Sequence, residues 1–467
     1  MYGDLLAWNV WEANIPLRVE PLSWRGLLAE LGSVERSFWG LFGWMTVPYP
    51  PWVYAGFRAL LGLVVIGWLP GLVRWLHGGR GLDRLAWAGA LLVIWLALLT
   101  VAWVRFTRIS PASQGRLFFP AMPTVALGLA LGLGGWRIWT LGPLVMGGLL
   151  LLSSATPFWI IAPAYRAPTP VATLPAGLTA VNVQVDDAIA LRGLAAAPVT
   201  LTPGASTTIT VAWQALGPVD RDYSVFVHLV DVDGLVAAQL DTMPGGGLAP
   251  TSQWQPGDLR VEGYTVTLPP TAYTPNGGQW GVGLYDAYRP DTPRLPLTLA
   301  ANTSPDVTVV DNALRFGQVT IVPPPGETPN PIDVAFAGNV TLAGYAFNRR
   351  RLHPGDTLEV TLYWRARGPV AADYTTFVHL LDADFAMFGG SDSPPDPPTS
   401  AWVPGEIVED RHTFTLPPDT PPGSYQIELG LYTQPDFDRL TLLDPGRAEG
   451  ADRLLLGPLE VGTGAPE

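Results

Sequence analysis

The 467-residue chain contains no cysteine and no lysine, and it has only five histidines. Without cysteine there is no disulfide framework, thiolate zinc site, iron–sulfur cluster or cysteine nucleophile. Without lysine, all 27 basic side chains are arginines. Charge is sparse overall, at 14% of residues against 48% hydrophobic, and it is unevenly spread. Residues 1–166 carry 12 arginines against 6 acids, whereas residues 167–467 carry 15 arginines against 34 acids. The excess of acid in the larger part argues against binding nucleic-acid phosphate. Fourteen of the 19 tryptophans fall in the first part, so a basic, Trp-rich apolar third joins an acidic two-thirds.

Four apolar runs in that first third reach the roughly 20 residues that a helix needs to cross a hydrocarbon core. They are Trp52–Leu76, with an interruption expected at Pro70-Gly71, Leu85–Val104, Leu117–Trp136 and Ile138–Ile161. Only Arg137 separates the last two, which predicts a tight helical hairpin. Trp52, Trp103, Trp136, Trp139 and Trp159 sit near run ends, where interfacial indoles belong. The expected membrane region is residues 52–165, a four-span α-helical bundle.

Charge sets the expected orientation. Arg74, His77, Arg80 and Arg84 place the loop between spans one and two inside. Residues 1–51, the loop between spans two and three, and everything after residue 165 then fall outside, giving a multi-pass cell-membrane protein with an extracytoplasmic C-terminal part. Arg105, Arg108 and Arg116 resist this scheme, since they lie in a loop assigned to the exterior. Either the topology is inverted or these arginines have a job.

Residues 1–22 show no basic segment followed by an apolar core, so no signal peptide is read there. A translocated start without a signal suggests a fragment with earlier spans missing. Within residues 1–51, Leu27, Leu28, Leu31, Val34, Phe38, Leu41 and Phe42 recur at helical spacing from Trp24. That pattern predicts an amphipathic helix, lying in the interface or packed on the spans.

Two Pro-rich linkers, Pro163–Pro175 and Pro323–Pro331, delimit two similar regions, residues 176–322 and 332–461. Residues 201–231 and 352–382 align at a constant offset of 151. The offset pairs Trp213 with Trp364, Tyr223 with Tyr374, Phe226 with Phe377, His228 with His379 and Asp231 with Asp382. At a slightly shorter offset the match runs on through Trp254/Trp402 and Tyr285/Tyr432 to Arg294/Arg439. Short alternating runs at Thr208–Trp213, Val225–Val230, Tyr264–Leu268 and Trp280–Tyr285 are bounded by Pro-Gly and Pro-Pro. Each region therefore reads as an all-β antiparallel sandwich, immunoglobulin-like in the loose sense.

The repeated His and Asp invite a metal reading, but strand alternation points His228 and Asp231 to opposite faces. The DVDG run at Asp231–Gly234 lacks the later acids of a calcium loop and reads as a hairpin turn. No metal site and no cofactor is expected. Trp213 and Trp364 should fill cores. Trp254 and Trp402, in Thr-Ser-x-Trp loops, could stack on a sugar ring if exposed.

Two stretches carry a family resemblance. Ser37-Phe38-Trp39-Gly40-Leu41-Phe42-Gly43-Trp44-Met45, followed by Pro48 and Pro50, leads into span one. Gln114-Gly115-Arg116-Leu117-Phe118-Phe119-Pro120-Ala121-Met122-Pro123 opens span three. Over residues 35–165 the chain resembles the C-terminal membrane half of bacterial GT-C-type glycosyltransferases, the O-mannosyltransferase-like group and its relatives. The resemblance implies transfer of sugar from a polyprenyl-phosphate donor on the exterior face. It gives Arg105, Arg108 and Arg116 a role, because an exterior guanidinium can hold a lipid phosphate bidentately. Arg116 is the leading candidate, with Gln114 as hydrogen-bond partner and Arg105 or Arg108 in support. The family's catalytic acids lie in an early exterior loop. Asp4, Glu12, Glu20, Glu30 and Glu35 are scattered here, so no catalytic residue is assigned. The expected partners are membrane lipid, a polyprenyl-phosphate sugar, and a glycan or surface protein held by the sandwiches. A second reading is a non-catalytic surface protein whose helices anchor two binding modules.

Overall fold

The computed structural model describes residues 18, 22–43, 45–77, 84–111, 113–197, 200–289, 291, 293–301, 304, 306–443 and 452–463. Asp4, Glu12, Glu20 and Arg80 lie outside them, as do the side chains of Arg74, His77 and Arg84. The chain divides into two compact units, residues 1–166 and 167–467.

The first unit is helical. Helix α1 (Trp24–Trp39) starts at Ser23, whose hydroxyl accepts from the Gly26 amide at 3.2 Å. Leu41 and Phe42, expected to extend this helix, instead form a two-residue strand paired with Val47 and Pro48. The hairpin supports an aromatic cluster. The Tyr54 hydroxyl donates to the Gly40 carbonyl at 2.7 Å, and Trp39 stacks on Phe57 with centroids 4.3 Å apart. These contacts account structurally for the aromatic run before the first span.

Helices α2 (Pro51–His77), α3 (Arg84–Ile109), α4 (Met122–Gly135) and α5 (Leu141–Thr156) follow, with a 3-10 turn Gly115–Ala121 leading into α4. Four segments are long and apolar enough to cross a membrane: Pro51–Pro70, Gly89–Ile109, Gly115–Gly135 and Leu141–Ala164. Their large apolar side chains face outward on most sides; Leu91, Val93, Val101, Leu144 and Leu151 are all exposed. A helix apolar all round, with that surface uncovered by protein, suits lipid as its solvent. Contrary to expectation, Pro70 does not interrupt α2. A helix in an apolar setting keeps its remaining backbone bonds because no water competes for them.

Helices α2 and α4 touch backbone to backbone. A Cβ added to Gly67 would stand 1.8 Å from the Gly132 carbonyl oxygen, and one on Gly135 would stand 1.8 Å from that of Gly67. The Trp68 and Trp136 indoles each donate to a carbonyl of the other helix, Gly128 and Leu63, at 2.9 Å. Only glycine allows this approach, and it is how helices associate where no hydrophobic drive operates.

The second unit is β. Its first half contains β1 (Thr179–Val185), β2 (Ile189–Ala197), β3 (Ser206–Ala215), β4 (Ser224–Asp231), β5 (Val236–Thr242), β6 (Leu259–Thr267), β7 (Asn276–Tyr285) and β8 (Ala313–Ile321). One sheet runs β1-β2-β3-β6, with Leu297–Leu299 on the β1 edge. The other runs β8-β7-β4-β5, with Thr308–Val310 on the β8 edge. The second half contains β9 (Val340–Phe347), β10 (Thr357–Ala366), β11 (Tyr374–Asp382), β12 (Met387–Ser393), β13 (Ile407–Thr415), β14 (Gly423–Thr433) and β15 (Leu454–Val461). Its sheets run β9-β10-β13, edged by Val334–Phe336, and β15-β14-β11-β12, edged by Arg351–Leu352. The two halves share one strand order, so the sequence repeat is a repeat of topology.

Each half closes on its own core, which makes it a β-sandwich. Val225, Val227 and Leu229 of β4 face inward with Trp213 and Trp280; Val378 and Leu380 of β11 face inward with Trp364. The period-two alternation of β4 selects this inward face. The Trp213 indole donates to Tyr264 at 3.3 Å, and the Trp364 indole donates to Asp410 at 3.1 Å.

The linker between the sandwiches is held at several points. The Asn330 side chain accepts from the Thr274 amide and donates to the Tyr345 carbonyl, while the fully buried Tyr345 hydroxyl donates to the Thr271 carbonyl at 2.6 Å. The DVDG run is a hairpin turn. Asp231 Oδ1 accepts the amides of Asp233 and Leu235, and Asp382 Oδ1 accepts those of Asp384 and Ala386 in the second copy. In the first copy the turn also receives Arg350 of the second sandwich. Arg350 donates to Asp231 Oδ2 at 2.7 Å, pairs with Asp233, and lies 4.4 Å above the Tyr273 ring.

Candidate functional sites

In the helical unit the arginines gather where α3 ends. Residues 18 and 22 run alongside this end: the Arg18 amide donates to the Ile109 carbonyl at 2.7 Å, and the Leu22 amide to that of Arg108 at 2.8 Å. Arg108 donates through Nε to the Leu22 carbonyl at 3.1 Å and lies 5.2 Å from the Trp24 ring centroid. Helix α1 is anchored beside it by Leu27 and Val34, which pack with Trp103. The helix thus buries one face on the unit, while Trp24, Leu28 and Leu31 on another are exposed.

Between these elements opens a groove of about 540 Å³ lined by Trp24, Thr100, Val101, Val104, Arg105, Arg108 and Ile109. Its walls are apolar apart from the Thr100 hydroxyl and two guanidiniums. Arg105 is exposed and makes no hydrogen bond or ion pair to a described residue.

The structure brings Arg105 and Arg108 together but places Arg116 and Gln114 outside the lining of this groove. Arg116 projects exposed from the 3-10 turn, and no hydrogen bond joins it to Gln114. Between them, Gly115 has a clear structural task. A Cβ there would stand 2.3 Å from the Phe38 amide nitrogen and 2.4 Å from the Val34 carbonyl oxygen. The Gly115 amide donates to Ser37 Oγ at 2.7 Å, joining the turn to α1. The two described acids ahead of α2 are both paired. Glu30 meets Arg18, and Glu35 takes Arg58 bidentately at 2.7 Å.

In the sandwiches the loop tryptophans are not presented to solvent. Trp254 is 2% exposed and donates to the Ala249 carbonyl; Trp402 is 4% exposed and donates to that of Pro397. Their loops fold back because buried Thr251 and Thr399 each accept a backbone amide at the start of the facing strand, from Tyr223, just ahead of β4, and from Tyr374, the first residue of β11, at 2.9 Å. Neither indole offers a face for a sugar, so the stacking role is withdrawn.

The outer faces of β4 and β11 carry a second repeated cluster. Phe226 and Phe377 point outward yet are 1% exposed, because Arg294 and Arg439 lie over their rings at 4.5 and 4.3 Å. His228 Nε2 is 3.2 Å from Asp241, and His379 Nε2 is 2.9 Å from Asp392. Asp241 and Asp392 stand at the same offset of 151, so the sequence repeat carries this pair as well. Glu428 of β14 lies across from His379 and accepts from its Nδ1 at 3.1 Å, from Arg453 at 3.0 Å and from Arg439 at 3.3 Å. Burial alone would raise its pKa. The bonds from Arg453 and His379 and the charge of Arg439 outweigh that and hold the carboxyl below its usual range. No group of three or more metal-ligating side chains occurs among the described residues.

No family model and no curated protein matches the chain. Among solved structures, the C-terminal domain of wzt is similar at 14% identity and TM-score 0.21, covering 31% of this chain and 85% of its own. Spo0M, a sporulation control protein from Bacillus subtilis, is similar at 16% identity and TM-score 0.15, covering 27% of this chain and 49% of its own. Scores this low transfer neither fold nor function.

Proposed function

We propose that this chain is the membrane-embedded C-terminal part of a polyprenyl-phosphate-sugar-dependent, GT-C-like glycosyltransferase, with two immunoglobulin-like sandwiches on the extracytoplasmic side. One observation carries the reading: two arginines stand over an otherwise almost wholly apolar groove at the end of a membrane-length helix. Such a groove suits a ligand with an anionic head and a hydrocarbon tail. Arg105 and Arg108 receive the phosphate, and the wall of Trp24, Val101 and Val104 receives the first isoprene units. Arg116 and Gln114, on the neighbouring turn, hold the sugar side of the donor.

The test is binding of a short-chain polyprenyl phosphate to the chain in nanodiscs, with the matching polyprenol as control. The phosphate should bind at least tenfold more tightly than the alcohol, and Arg105→Gln with Arg108→Gln should abolish that preference. Equal binding of the two lipids defeats the reading.

The pairing of Glu30 with Arg18 and of Glu35 with Arg58 favours a second reading. With both described acids of this segment engaged, the helices serve as an anchor for two binding modules, without catalysis in this chain.

A further inference from the structure

The two sandwiches differ at one position of the outer cluster, and the difference is chemical. In the second sandwich, β14 places Glu428 across from His379. In the first, β7 places Gly281 across from His228. The groups around that position are otherwise kept. His228 retains its acid on the far side, Asp241, as His379 retains Asp392. Arg294 retains its place over Phe226, as Arg439 does over Phe377.

A second arginine is present in both copies, although from a different register. Arg453 precedes β15 and reaches Glu428, whereas Arg315 of β8 pairs directly with Gly281. Arg315 Nη1 lies 2.9 Å from the point where a Cβ on Gly281 would stand. That nitrogen is shielded from water and has no hydrogen-bond partner among the described residues. His228 Nδ1, whose counterpart in His379 binds Glu428, has no partner among the described residues. Burial, then the charge of Arg294, lowers the Arg315 pKa, and the Asp311 carboxylate offsets them only in part. A shielded N–H without a partner is costly, and a charged one more so.

We propose that the outer face of the first sandwich binds a carboxylate ligand, whose carboxylate takes the place that the Glu428 side chain fills in the second sandwich, between His228, Arg294 and Arg315. The second copy fills the site with its own Glu428; in the first the Arg315 guanidinium lies over Gly281 and swings aside to admit the ligand. Two arginines and an imidazole give a planar carboxylate charge-assisted bonds on both oxygens. The site is independent of the lipid groove and stands whether or not that groove binds phosphate.

The experiment is calorimetric titration of the full-length chain in detergent with acetate, glucuronate and, as a neutral control, glucose. One carboxylate should bind per chain. Arg315→Leu should weaken it about tenfold or more. Gly281→Glu should abolish binding by filling the site from within; the nearest atom its Cβ meets is the movable end of Arg315. Glu428→Gly should raise the stoichiometry from one to two. Tighter binding of glucuronate than acetate identifies an acidic sugar as the source, and equal binding identifies the carboxylate alone; both support the site. Absence of saturable carboxylate binding, unchanged affinity in Arg315→Leu, or equal binding of glucose overturns it. Thermal unfolding checks that each variant folds, and if Gly281→Glu does not, Arg315→Leu decides.

Discussion

Arg350→Met tests what joins the two sandwiches. The Arg350 side chain is 5% exposed, and the Asp231 side chain that it meets is fully buried. Removing one member of a buried ion pair costs about 3–5 kcal/mol, because the remaining charge is left uncompensated. Asp231 keeps three other donors, the amides of Asp233 and Leu235 and the side chain of Asn276, which moves the expected cost to the lower end, about 3 kcal/mol. Met also retains stem packing over Tyr273. The second copy is the built-in control: Asp382 makes the same turn bonds with no arginine among the described residues, so the turn itself does not require one. Urea pulse proteolysis is the assay, with trypsin, which in this lysine-free chain cuts only after arginine. A double-mutant cycle of Arg350→Met with Asp231→Asn should give a coupling of about 2–3 kcal/mol. A coupling below about 0.5 kcal/mol would show that the pair is incidental and that the linker alone sets the junction.

Three further outcomes follow from single contacts. Gly67→Ala should separate α2 from α4, breaking the two indole–carbonyl bonds and costing about 1–3 kcal/mol in a detergent unfolding assay, while Gly62→Ala, with open space around it, should be neutral. Trp402→Ala should destabilise the second sandwich by about 3–5 kcal/mol in urea titration, since the indole is core; a near-neutral result would restore it as an exposed ligand platform. Glu428 has a folded pKa below its unfolded value, so its contribution is present above about pH 4.5 and is lost as pH falls through the folded pKa. The acid limb of the second sandwich's stability profile should be shallower in Glu428→Gln than in the wild type.

Much of the architecture was legible because periodicity reports it directly. The runs Thr208–Trp213, Val225–Val230 and Trp280–Tyr285 lie inside β3, β4 and β7, and the 151-residue offset foreshadowed two sandwiches of one strand order. The four long apolar runs are helices of membrane-crossing length. What the sequence concealed depends on side chains meeting from separate elements. Trp254 and Trp402 look like loop residues, yet Thr251 and Thr399 fold their loops back over the core. Phe226 alternates outward, yet Arg294 covers it. Arg350 lies 119 residues from Asp231, and no local pattern announces that pair. Pro70 reads as a break by propensity, but an apolar setting preserves the rest of the helix. One difference is visible in the sequence itself: Gly281 stands where the second copy has Glu428, within a repeat that matches on either side.

The claim that this chain handles a phosphorylated polyprenyl lipid meets its most direct test in native mass spectrometry of the protein extracted from its own membrane. A retained adduct with the mass of a polyprenyl phosphate or its glycosylated form is expected, lost when Arg105 and Arg108 are both replaced by glutamine. An adduct spectrum identical in the wild type and the double variant, or one containing only bulk phospholipid, would contradict it.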